Sequence, residues 1–139
     1  MSVELRFPFE FVVEGTPVSQ QAKRRQSLRE WQDCVRAAAR QNLPAGHFLT
    51  SGPLSITLFY FPATPLQGDI DNIVKPVLDA LTRVIYVSDR QLHRVVVQKF
   101  EPGNVFEFRT PSAALAEAIG KAKPALYIGL SDNPFEDLA

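Results

Sequence analysis

The segment GPLSITLFYFPA, residues 52–63, is nearly apolar on both faces. A half-buried strand alternates apolar and polar residues. This one does not, and so asks to be an interior strand covered on both sides. The neighbouring segments supply the cover. FPFEFVVEG, residues 7–15, sets Phe7, Phe9, Phe11 and Val13 against Pro8, Glu10 and Glu14, the period-two pattern of a half-buried strand. Pro8 donates no backbone hydrogen bond, which places this strand at an end or edge of a sheet.

After the loop TPVSQQAKRRQ, Ser27 with Glu30 three residues later has the spacing of a capping box and predicts a helix reaching about Asn42. Leu28, Trp31, Val35 and Ala38 or Ala39 form its inward stripe, and Arg29, Asp33, Arg36 and Arg40 its outward one. Cys34, the sole cysteine, lies beside Trp31 and Val35 and reads as a small core residue. A second helical pattern runs through Ile70, Ile73 or Val74, Val77, Leu81 and Ile85. Pro76 interrupts it, so the regular helix is expected to begin there, with residues 69–75 as an irregular lead-in.

RVVVQKFE and NVFEFRT flank Pro102-Gly103 and read as a β-hairpin, SAALAEAIGKA as a short helix, and LSDNPFEDLA as a loosely held tail. The expectation is an α/β (α+β) fold: one small domain over residues 1–139, a mixed sheet and two main helices. Its order is β-α-β-α-β-β, with 131–139 a flexible acidic tail.

Bulk properties exclude several classes. Apolar residues make up 45% and charged residues 22%, as in ordinary globular chains. No apolar run approaches a membrane span, and MSVELRFPFEF does not read as a signal peptide. One cysteine excludes an internal disulfide framework and makes an intracellular, cytoplasmic setting the default. The formal net charge is zero, but it is unevenly spread. Lys23, Arg24, Arg25, Arg29, Arg36 and Arg40 face only Glu30 and Asp33 across residues 16–42, while Asp132, Glu136 and Asp137 sit in a terminus without bases. Those six bases point to an anionic partner met by one face.

The chemistry concentrates in QGDIDNIVKPVLDAL, residues 67–81. Asp69 and Asp71 would point the same way on an extended backbone and could share a hard divalent cation such as Mg²⁺ or Mn²⁺. Asp89, after the link RVIYVS, is the natural further carboxylate if the link folds back beside the helix's N-terminal end. One Cys and two isolated His argue against zinc. On spacing alone a second reading stands: either acid could cap the helix, with Lys75 a solvated residue paired to Asp79 four positions on.

The wider stretch GDIDNIVKPVLDALTRVIYVSDRQ resembles the signature of the RusA-type Holliday junction resolvases of bacteria and phages. The matching positions are Asp69, Asp71, Asn72, Lys75, Asp79-Ala80-Leu81, Tyr86, Asp89 and Gln91. Upstream, GTPVSQQAKRR looks like that family's Pro-x-Ser segment leading into basic residues, and the resemblance spans approximately Glu10 to Phe100. It implies a homodimeric, metal-dependent endodeoxyribonuclease that resolves four-way DNA junctions by paired symmetric nicks, with Mg²⁺ or substituting Mn²⁺ as cofactor. It further implies that Asp69, Asp71 and Asp89 are the catalytic, metal-holding carboxylates and that Lys75 is also required for cleavage. DNA contacts would fall to Lys23, Arg24, Arg25, Arg29, Arg36 and Arg40. Two departures accompany it: ATPLQG before Asp69 carries no charge, and Ser88 stands where family members often have another acid. The alternatives are a nuclease of this fold acting on other branched or single-stranded DNA, and a DNA-binding module that does not cut.

Overall fold

The computed structural model describes residues 3–65, 68–104 and 106–135. Seven elements build it: β1 (Phe9–Glu14), α1 (Arg25–Asn42), β2 (Leu54–Phe61), α2 (Asp71–Leu81), β3 (Leu92–Lys99), α3 (Ala113–Gly120) and β4 (Ala125–Ser131). A 3₁₀ turn over Asp89–Gln91 leads into β3. The strands form one mixed sheet in the order β1-β4-β2-β3. β4 runs antiparallel to both neighbours, and β3 runs parallel to β2. A parallel neighbour needs a crossover, and α2 supplies it between β2 and β3.

The α+β fold with a mixed sheet is thus as expected, but its last strands differ. The turn after Glu101 forms, with Asn104 N–H donating to the Glu101 carbonyl at 3.3 Å and Gly103 at a φ of 89°. None of the described residues 106–112 directly after it is in a strand. Phe106 and Phe108 instead pack their rings on Phe100, 4.7 and 5.3 Å between centroids. Their period-two spacing serves ring packing around Phe100, not pairing with β3. The fourth strand is β4, whose run ALYIGL is buried at every position and fills the middle of the sheet. Leu130 and Ser131 therefore belong to this strand, Pro134 is buried, and the Phe135 ring lies 6.5 Å from that of His93. Residues 136–139 of the expected acidic tail lie outside the described residues.

α1 and α2 cover one face of the sheet. Trp31, Val35 and Ala39 from α1 and Ile73, Val77 and Leu81 from α2 share a core with Phe11, Ile56, Leu58, Leu126 and Ile128. Burying each such aliphatic contributes roughly 1.5–3 kcal/mol. The other face is covered at one end only, where Leu115 and Ala118 of α3 meet Phe61 and Tyr127. β2 is interior, as its composition demands, yet Ser55, Thr57 and Phe59 on that second face are only half-buried.

Two local expectations for α1 fail. The helix starts at Arg25 with Arg24 as N-cap residue and no side-chain cap, so Ser27 and Glu30 are already inside it. Cys34 is exposed, one 100° step away from the buried stripe Leu28, Trp31, Val35 and Ala39.

Candidate active site

α2 opens at the two acids. Its N-cap residue is Ile70, in right-handed helical geometry, and no side chain caps it. Asp69 contributes backbone instead, its carbonyl accepting from Asn72 N–H at 3.2 Å. Neither acid is the N-cap, so the capping alternative falls. The helix also starts five residues earlier than Pro76 suggests. Proline at this depth removes only the bond to the Asn72 carbonyl, while Ile73, Val77 and Leu81 hold the segment in the core. Pro76 is itself buried, and its carbonyl accepts from Gln32 Nε2 of α1 at 3.1 Å.

Helical geometry at Ile70 changes how the acids relate. Acids two apart on an extended chain point the same way; with Ile70 helical and Asp69 just outside α2, that extended geometry is not present here. Asp69 and Asp71 are both exposed, and among the described residues neither carboxylate has a hydrogen-bond or ion-pair partner. Asp71 occupies the first turn, where the helix dipole favours an anion. Asp71, Lys75 and Asp79 then follow at intervals of four, one face of α2 with about 6 Å of rise per step.

Lys75 is the meeting point. Its Nζ lies 2.9 Å from Asp79 Oδ1 and 2.9 Å from Asp89 Oδ2. The two carboxylates, Asp79 first and Asp89 second, hold its ammonium above the ordinary lysine range. With the Lys75 side chain 56% exposed, such pairs contribute under about 1 kcal/mol each to stability. Their consequence is placement: a positive charge fixed among acids from two separate elements.

Asp89 reaches this point because the chain after α2 turns back. The buried Tyr86 donates its hydroxyl to the Leu78 carbonyl at 2.7 Å, and Arg83 N–H donates to the Tyr86 carbonyl at 2.7 Å. The link therefore meets the middle of α2, beyond the N-terminal end anticipated for it. Gln91 clamps the result. Its Oε1 accepts from Val87 and Ser88 N–H at 2.9 and 3.0 Å, and its Nε2 donates to the Thr50 and Gly52 carbonyls at 2.8 and 3.0 Å. Every hydrogen-bonding position of the amide is used. Ser88 Oγ accepts from Arg90 N–H at 3.2 Å, completing a capping box around Asp89. Sequence reasoning missed the structural roles of Ser88 and Gln91. Their S-x-x-Q spacing is the signal that carries them.

Among the described residues no group of three or more His, Cys, Asp or Glu side chains comes together at metal-binding spacing. Asp69, Asp71 and Asp89 are therefore not assembled into one ligand set, and the partner of Asp89 is Lys75. The donor chemistry nonetheless suits a hard divalent cation. The donors are all carboxylate oxygens, two of them unpartnered, beside a position that already lodges a positive charge.

Of the six bases, Lys23, Arg24, Arg25, Arg29 and Arg40 are exposed. Arg36 is half-buried and pairs with Asp33 at 2.9 Å. Positions 25, 29, 32 and 36 share one stripe of α1, and Gln32 on that stripe touches α2. The bases Arg25, Arg29 and Arg36 thus run along the line where α1 meets the acid-bearing helix. A cavity of about 560 Å³ lies elsewhere, lined by Glu10, Glu14, Glu117 and Lys121 among others. Three carboxylates make it a poor seat for phosphate.

The family model of endodeoxyribonuclease RusA matches residues 11–106. That span takes in α1, β2, α2 and β3, all six bases, and Asp69, Asp71, Lys75, Asp79 and Asp89. No curated protein matches the chain.

Proposed function

Since the chain belongs to the RusA endodeoxyribonuclease family, we propose that it resolves four-way DNA junctions by hydrolysing phosphodiester bonds at the Asp71–Lys75–Asp79 face of α2. The observation that carries this reading is the ammonium of Lys75, held at 2.9 Å by Asp89 and by Asp79, one helical turn from the unpartnered Asp71. Asp69, Asp71 and Asp89 would hold Mg²⁺, with Mn²⁺ as a substitute. A divalent cation bound there supplies an acidified water and relief of charge on the phosphate. Lys75 adds a fixed positive charge that stabilises the oxygens of the scissile phosphate as their charge grows. Asp89 keeps Lys75 aimed until substrate arrives, and the Gln91 clamp keeps Asp89 on its turn.

Lys23, Arg24, Arg25, Arg29, Arg36 and Arg40 carry the phosphate backbone of the DNA towards α2. Each phosphate they neutralise steepens the salt dependence of binding. A junction has two equivalent strands to nick, and a twofold dimer of this chain presents two equivalent sites for them. The enzyme works in the cytoplasm, on DNA recombination and repair intermediates. The uncharged ATPLQG approach to Asp69 favours a second reading, the same chemistry on flaps, forks or single strands. A non-cleaving module is the weaker alternative, because the full set Asp69, Asp71, Lys75 and Asp89 is present.

Cleavage of labelled four-way, three-way, flap, linear and single-stranded DNA, each with Mg²⁺, Mn²⁺ or EDTA, tests the proposal. Paired symmetric nicks in the four-way substrate that need metal and vanish in Asp71→Asn are the expected result. Preference for flaps or single strands would transfer the site to the second reading. Folded, metal-supplied protein that cuts no DNA would remove the enzyme reading altogether.

A further inference from the structure

Two acids hold one lysine, and they differ in what else they do. Asp89 belongs to the set proposed above for the metal; Asp79 does not. Asp79 sits on α2 itself, four residues after Lys75, with its side chain 34% exposed against 33% for Asp89. Its place is a poor one for helix stability. It lies in the last turn of α2, where the dipole disfavours an anion, and no base in that turn compensates it. The pair also runs Lys before Asp, the weaker of the two orders at this spacing. A residue that works against its helix while gripping a second residue is better explained by the grip.

We propose that Asp79 is the positioning residue for Lys75, holding the ammonium on the α2 face one turn from Asp71 when Asp89 engages a divalent cation. This inference rests on the nuclease reading of the preceding subsection. The physical need is plain. A carboxylate shared with a divalent cation attracts an ammonium less, and a four-carbon side chain that is 56% exposed has many rotamers to escape into. Small misplacements of a charge-stabilising group lower the rate steeply. Asp79 is anchored on the same helix as Lys75, so the pair keeps its geometry whatever Asp89 does.

The test compares wild type, Asp79→Asn, Asp79→Glu, Lys75→Ala and the Asp79→Asn/Lys75→Ala double variant on the DNA that wild type cuts. Asp79→Asn is expected to lower kcat at least tenfold with KM within twofold, and to leave the melting temperature unchanged or slightly raised. Asp79→Glu should recover part of the loss, and the double variant should be no slower than Lys75→Ala. Mn²⁺ affinity, read by electron paramagnetic resonance without DNA, should change less than threefold in Asp79→Asn. A tenfold weaker affinity would make Asp79 a ligand and overturn the positioning role. So would a kcat equal to wild type, or a loss in the double variant well beyond that of Lys75→Ala. A wild type that cuts no DNA sinks the nuclease reading and this inference with it; a wild type that cuts beside an equally fast Asp79→Asn sinks this inference alone.

Discussion

Gly129 sits in β4, at the centre of the sheet, where a Cβ would lie 2.5 Å from Tyr127 Oη and 3.0 Å from its Cζ. The Tyr127 hydroxyl crosses that space to donate to Glu10 Oε2 at 2.5 Å, and Ser112 Oγ donates to the same oxygen at 2.5 Å. One missing carbon thus lets a tyrosine on the middle strand tie β1 to the start of α3. Gly129→Ala is expected to destabilise by about 1–3 kcal/mol, the usual range for overpacking, read as a lower urea midpoint. Combined with Tyr127→Phe, the loss should fall short of the sum of the two single losses, because the obstructing atom has gone. Strict additivity would mean that the hydroxyl is not the obstacle. Residue identity alone gave no warning of this contact. Cys34 misleads in the same way, because its chemistry suggests burial while its angle on the helix gives exposure.

Elements here are joined by side chains as much as by backbone. Gln91 links the 3₁₀ turn to the strand-like approach at Thr50 and Gly52, and through that turn it sets Asp89 against Lys75. Gln91→Ala should cost about 1–3 kcal/mol, since backbone groups left without partners here can still reach some water. Amide exchange at Val87 and Ser88 should speed up, while exchange at Leu58 and Ile128 in the sheet stays as in wild type. Unchanged exchange at Val87 and Ser88 would show that the clamp is not what orders the turn. At this scale the sequence was readable wherever burial and periodicity agreed. The stripes of α1 and α2 and the interior character of β2 follow from local spacing, and the structure has them. Legibility failed where two local signals conflicted. Pro76 argued for a break, but one lost backbone bond weighs less than three core side chains. The Pro102-Gly103 turn argued for a hairpin, but Phe106 and Phe108 gain more from the aromatic cluster around Phe100.

For the whole molecule, the three tyrosines make a pH response: all are buried, and burial pushes Tyr60 upward as it does the other two. Tyr86 is pushed above its ordinary value of 10.0 by burial, and Tyr127 by burial and then by the Glu10 carboxylate that its hydroxyl faces. A folded-state value raised above the unfolded one gives stability that is complete below pH 10 and lost as pH climbs beyond it. The melting temperature should therefore fall on the alkaline side of pH 10, and fall less steeply in Tyr127→Phe, even though that variant starts lower. Equal slopes in the two proteins would remove Tyr127 from the linkage. The sequence by itself determined the class of fold, the two helices that cover the sheet, the interior strand, and the segment where acids and lysine gather, because all of these follow from periodicity and spacing within a few turns of chain. Only the tertiary structure decided that β4 takes the centre of the sheet, that β3 lies parallel to β2, and that Asp89 meets Lys75. Those outcomes join residues far apart in the chain, and they are selected by which arrangement buries the helix-covered face of the sheet together with the aromatic end of the other, a quantity that no local window contains.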